Sequence, residues 1–239
     1  CYLGGAEVFV FFWRKKWLIL CMVAVLIVCA YAASFSAEQV FNRRKPIYQG
    51  NPEKKQVAIT VNVDWGEEYI PQMLDLFKKN QVQATFFISG RWAGEHQELV
   101  RKIADSGHEI GNHGFSHPHV KELSVEENIK EIQETSKAIE QAAQRKTRYF
   151  APPYGEYNDC VLEAAARTKH QIILWTVDTV DWQKPPADEI NSRVLSRVHN
   201  GAIILMHPTE PTLEALPEML AGLRRQGYQI VPLEKLIAE

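Results

Sequence analysis

The chain has 239 residues, 46% of them hydrophobic and 23% charged, with a formal net charge of −2. That composition suits a domain with a real buried core, while the lack of a basic stripe or Arg-rich tail argues against nucleic acid as a partner. Of the four cysteines only Cys160 falls in the globular part, which excludes a disulfide-built fold and a cysteine-ligated metal.

Arg14-Lys15-Lys16 precedes Trp17–Ala33, a run of 17 residues without a charge. Such a run is at the short end for a membrane helix, and Trp13 and Trp17 beside the basic cluster suit an interfacial belt. An uncleaved N-terminal membrane anchor over residues 1–33 is the first reading. A cleaved signal peptide, with Ala30-Tyr31-Ala32 as its small-x-small site, is the second. Both place the bulk of the chain on the extracytoplasmic side, at the cell membrane or secreted. Residues 34–56, broken by Pro46, Gly50 and Pro52, read as a tether, and residues 57–239 as one domain.

Within that domain Val57–Val63 is an apolar, β-branched run of strand length. A helix is expected over Ile70–Lys79, a strand over Ala84–Ser89, and a helix that ends at Ser106-Gly107. A short strand His108–Gly111 leads into Gly111-Asn112-His113-Gly114-Phe115-Ser116-His117-Pro118-His119. Ser124 and Glu127 form a capping box for a long helix to about Gln144. Then come a strand Tyr149–Ala151, a helix Asp159–Lys169, a buried run Gln171–Val177, a helix Ala187–His199 and a strand Ala202–His207. A last helix ends at Gly227 before a strand Tyr228–Leu233. Alternating strands and helices imply a parallel sheet, and seven strands suit either an open sheet or a distorted barrel.

The unusual polar residues fall at the carboxyl ends of these strands, where parallel α/β folds place their active sites. Asn62 and Asp64 close the first strand, and His113 and His117 follow the third. Tyr154 follows the fourth, Asp178 and Asp181-Trp182 the fifth, and His207 the sixth. Two imidazoles four residues apart make two arms of a metal site, although loop histidines solvating a turn would leave the same pattern.

Together these segments resemble the motifs of the polysaccharide deacetylases with a NodB homology domain, carbohydrate esterase family 4. The segments are Thr60-Val61-Asn62-Val63-Asp64, His113-Gly114-Phe115-Ser116-His117, Ala151-Pro152-Pro153-Tyr154-Gly155, Asp178-Thr179-Val180-Asp181-Trp182 and Leu205-Met206-His207. Asp64-Trp65-Gly66 and the apolar N-terminus look most like the PdaB-type sporulation deacetylases. The resemblance implies a distorted seven-stranded (β/α) barrel and hydrolysis of an N-acetyl amide on a cell-wall or spore glycan such as peptidoglycan or a chitin-like polymer. By matched position, Asp64, His113 and His117 would bind a divalent metal, with zinc the best match. His207 would be the general acid, with Asp181 holding its ring and raising its pKa. Tyr154, through its backbone N–H, would stabilise the oxyanion, and Tyr154, Trp182 and Pro153 would bind the sugar.

Two departures stand out. The position of the family's general base is Asn62, a carboxamide that accepts no proton near neutral pH, and the position of the Arg that orients the base is Ala151. Loss of a general base typically costs ~10²–10⁴-fold in rate. The chain therefore reads as a slow, metal-dependent deacetylase, or alternatively as a membrane-tethered glycan-binding pseudoenzyme of sporulation or wall assembly. A hydrolase of another amide is a third reading, and the oligomeric state stays open.

Overall fold

Strand β1 (Gln56–Val63) is an interior strand of the sheet, and its residues from Val57 to Val63 are all buried. Burial on both faces requires neighbours on both sides, which a parallel strand inside an α/β fold has. The computed structural model of the chain describes residues 21–31 and 45–238. It adds β2 (Thr85–Ile88), β3 (Glu109–Asn112), β4 (Tyr149–Phe150), β5 (Gln171–Ile172), β6 (Val177–Asp178), β7 (Ile203–Met206) and β8 (Gln229–Ile230). Their order is β5-β4-β3-β2-β1-β7-β6, every pair is parallel, and β8 joins β1 at Gln56 and Val57.

The helices are α1 (Ile70–Lys79), α2 (Gly90–Glu95), α3 (Gln97–Asp105), α4 (Val125–Ala143), α5 (Asp159–Arg167), α6 (Ala187–Arg197), α7 (Glu210–Arg225) and α8 (Leu233–Ile237). Local chemistry explains their ends. Ser124 accepts from the Glu127 N–H while the Glu127 carboxylate returns to the Ser124 N–H, so the expected capping box opens α4. Gly107, at φ +82, takes up the left-handed turn after α3.

The run Gln171–Val177 is not one strand. Its start pairs with β4, through Ile173 N–H to Phe150 O at 2.9 Å, and its end with β7, through Thr176 N–H to Ile203 O at 3.2 Å. The two edges of the sheet are thus the two ends of one short stretch, and seven strands curve into an incomplete barrel. Ile47 fills the seam by exchanging hydrogen bonds with Ile172 O at 2.9 Å and Leu174 N–H at 2.8 Å. Gly50 N–H likewise reaches Gly201 O at 2.8 Å, so Ile47, Gln49 and Gly50, within the stretch expected as tether, bond to the barrel. The last strand is shorter than expected as well: Leu233 buries its side chain as the first residue of α8.

Residues 21–31 are helical, and among the described residues no helix is long and apolar enough to cross a membrane. The expected anchor, Trp17–Ala33, lies partly outside the described residues.

Side-chain alternation divides the strands into two faces. Val57, Ile59, Val61, Phe86, Ile88, Ile204 and Met206 pack outward under the helices, while Ala58, Phe87, Ala151, Ile173 and Ile203 fill the lower interior of the ring. Gly111 is needed there, because a Cβ would overlap the Phe87 ring. Continued upward, the inward set of each strand ends on Asn62, His113, Leu205 and His207. The same period that builds the core therefore delivers the polar residues to the mouth.

One buried histidine belongs to the fold alone. His108 sits 5.5 Å from the Phe77 ring and 5.1 Å from the Phe86 ring, and its Nδ1 accepts the Ala84 N–H at 3.0 Å. Burial pushes its pKa from 6.5 down to about 4. The unfolded chain therefore binds the proton first, and the stabilisation, complete above the unfolded value, is lost as pH falls through the window between the two. Urea unfolding should show stability falling by about 2 kcal/mol from pH 7 to pH 5 on account of this group. His108→Asn, which keeps an acceptor without titrating, should flatten that part of the profile. An identical slope in the variant would remove His108 as its cause.

Candidate active site

A cavity of 530 Å³ opens at the carboxyl ends of the strands, with Asn62, His113 and His207 among its lining and Trp65, Tyr154, Trp175, Asp178, Trp182 and Leu205 around them. Four exposed or half-buried aromatics at one opening form a surface suited to the apolar face of a sugar ring.

On the β3 side, the His113 ring is buried and its Nδ1–H donates to Ala151 O at 2.7 Å, which turns Nε2 away from that carbonyl. Burial, seconded by His117, pushes the His113 pKa down to about 3, and burial lowers that of His117 too, so both imidazoles are neutral near pH 7. Their ring centroids are 4.9 Å apart. His117 holds a left-handed φ of 56°, a conformation that needs support from its surroundings. Glu131 of α4 gives that support: it accepts the N–H groups of Phe115 at 2.7 Å and Ser116 at 2.9 Å, and the Ser116 hydroxyl at 3.0 Å. From the other side Gly90 and Arg91 donate their backbone N–H groups to Gly114 O and Phe115 O, at 2.9 and 3.0 Å. Gly90 permits this approach, since a Cβ would overlap the Phe115 ring.

Asp64, expected as the third metal ligand, lines the same cavity and has partners on both oxygens. Its Oδ1 accepts from the Ser89 hydroxyl at 2.5 Å, and Arg91 Nη2 lies 3.1 Å from Oδ2 and 3.3 Å from Oδ1. Two neutral imidazoles and a carboxylate are donors of the type zinc takes. Among the described residues, however, no three His, Cys, Asp or Glu side chains are placed to hold a metal ion together. Asp64, His113 and His117 nonetheless all line the same cavity, with the carboxylate paired to a guanidinium.

Across the mouth, Asp181 is fully buried and wholly committed. Its Oδ1 accepts His207 Nδ1–H at 2.7 Å, and its Oδ2 accepts the His207 backbone N–H at 2.7 Å and the Thr212 hydroxyl at 2.5 Å. With Nδ1 occupied, His207 is left Nε2 for a ligand. Trp65 stacks on the same ring, centroids 5.9 Å apart and planes 7° from parallel. Asp181 reaches inward from a turn where Val180 is forced to φ 55°. A β-branched residue tolerates that poorly, so the geometry is held by its surroundings. Asp178 Oδ1, accepting the Val180 N–H at 2.8 Å, is one such contact.

Tyr154 and Trp182 stand at the rim, both more than half exposed, and the Tyr154 ring stacks on His119 at 4.3 Å. Pro153 is buried beside Gly114 and starts the turn that carries Tyr154. Sequence reasoning also passed over Trp65, Trp175 and Arg91 as site residues; Trp65, adjoining Asp64, carried the only local signal.

The base position keeps its place without its chemistry. Asn62 is 5% exposed at the cavity floor, and its Oδ1 makes no hydrogen bond among the described residues. Ala151, where the resembling motif has Arg, packs with Phe87, Ile173 and Ile203. An uncharged amide tolerates such surroundings far better than a carboxylate without its cation.

Fold and site define a parallel α/β barrel protein with acid–base groups gathered at its carboxyl mouth. The polysaccharide deacetylase family model matches residues 49–173, and the chain belongs to that family. It is 44% identical over 195 residues to the protein YlxY of Bacillus subtilis, covering 82% of this chain and 61% of that one. It thus spans about three-fifths of that relative's length. It is 33% identical to a peptidoglycan-N-acetylglucosamine deacetylase of Bacillus cereus, covering 79% of this chain and 70% of that one. Among solved structures, a CE4 family pseudoenzyme from Bacillus anthracis superposes with a TM-score of 0.81 at 44% identity, covering 82% of this chain and 70% of that one. A mutant of the same pseudoenzyme, with TM-score 0.81 and 43% identity over 82% of this chain and 72% of that one, is described as having restored enzymatic activity.

Proposed function

We propose that this chain binds N-acetylated cell-wall glycan in its cavity and does not hydrolyse it at the rate of a complete family site. The observation that carries the reading is Asn62, a buried carboxamide whose Oδ1 receives no hydrogen bond among the described residues, where a proton acceptor is required. The peptidoglycan deacetylase among its relatives supports the glycan class, and the pseudoenzyme supports the loss of turnover.

The aromatic rim predicts the binding experiment. Chitin oligosaccharide should bind by calorimetry, and Trp182→Ala should weaken it by about 3–10-fold, the range of one lost aromatic contact. Binding should persist in His207→Ala, because an acid that only protonates a leaving group adds little to ground-state affinity. Absence of binding to both chitin oligosaccharide and peptidoglycan fragments would end this reading.

The intact Asp181–His207 pair favours a second reading, slow hydrolysis of the same acetamide. There His207 would deliver the proton that the departing amine needs, and acetate release would be lost in His207→Ala. The basic cluster and the charge-free run Trp17–Ala33 support an extracytoplasmic place for the domain, tethered or released, where such glycans are found.

A further inference from the structure

Arg91 has no part in the motifs, yet it makes an ion pair with Asp64, which lines the same cavity as the histidine pair. One guanidinium nitrogen reaches both oxygens of Asp64, and the Ser89 hydroxyl takes a further lone pair on Oδ1. The backbone holds Arg91 in place, since its own N–H is bonded to Phe115 O within the loop that carries His113 and His117. Carboxylate, guanidinium and imidazoles are thus tied into one unit by α2 and the β3 loop. A divalent metal drawing on Asp64 would have to displace Arg91 or share the carboxylate with it, placing like charges side by side.

We infer that Arg91 is a resident cation for Asp64 that competes with a divalent metal for the carboxylate, so that zinc binds this chain more weakly than its two histidines and aspartate would otherwise allow. This goes beyond the glycan reading and does not depend on it, because zinc binding is measured with no sugar present.

The opposite sign is a real alternative. Hydrogen-bond partners of a metal-binding carboxylate commonly orient it, and removing one then weakens affinity by about 10–100-fold. Calorimetric zinc binding to the full chain near pH 7 separates the two for wild type, Arg91→Met and Arg91→Lys. The Arg91 side chain is 52% exposed, so neither change disturbs the core. The inference expects Arg91→Met to tighten zinc by about 10–100-fold, the size of other effects on residues behind a ligand. Arg91→Lys keeps the charge and should stay near wild type, and His113→Ala in the Arg91→Met background should abolish the gain. Arg91→Met binding equal to or weaker than wild type overturns the inference, as does no zinc uptake by any variant. A tightening in Arg91→Lys as large as in Arg91→Met also overturns it, since charge is then not the cause.

Discussion

Asn62→Asp combined with Ala151→Arg should release acetate from chitin oligosaccharides about 10²–10⁴-fold faster than the native chain at saturating zinc, the range a positioned general base supplies. The gain should need both changes. Aspartate alone at position 62 would sit at the buried cavity floor without the arginine that orients it, and burial would favour its protonated form. Arginine alone at position 151 would push a charge into the contacts of Phe87, Ile173 and Ile203, costing about 3–5 kcal/mol if left unpaired. The native pairing of Asn with Ala avoids both penalties, which is why the two departures belong together. Acetate release and urea stability measured on the two single variants and the double variant test this directly. A folded double variant with native-level turnover would mean that the missing base is not what limits the chain.

Asp181→Ala carries the largest expected loss of stability. The side chain is fully buried, and its two oxygens satisfy the His207 ring, the His207 backbone and the Thr212 hydroxyl. Removing it strands one buried donor on Thr212 and two part-buried donors on His207, at a cost of about 3–5 kcal/mol by urea unfolding near pH 7. Asp181→Asn should cost less, because one amide oxygen can still accept, although its amino group then faces a donor. Thr212→Val, which removes a single hydroxyl, should cost about 1 kcal/mol. A loss below about 0.5 kcal/mol in Asp181→Ala, the scale of ordinary surface changes, would show that the network adds nothing to the fold.

What the sequence determined by itself was the local content and its order. Ser124 and Glu127 lie three residues apart and cap α4 without outside help, and Gly107 ends a turn that its own backbone allows. The apolar runs around β1 and β7 mark strands because their period is intrinsic to the chain, and that period also set Asn62, His113 and His207 at strand ends on the inner face. Only the tertiary structure decided what depends on partners far along the chain. Gln171–Val177 looks continuous until β4 claims its start and β7 its end, and Leu233 becomes helical because α8 packs under the barrel. Pro153 is buried beside Gly114. Arg91 meets Asp64 across 27 residues, and no spacing rule marks a pair that exists only because β1 and β2 lie side by side with their loops at the same end. A side chain's residue type states which charges and hydrogen bonds it can make; which partner takes them is settled when the sheet closes.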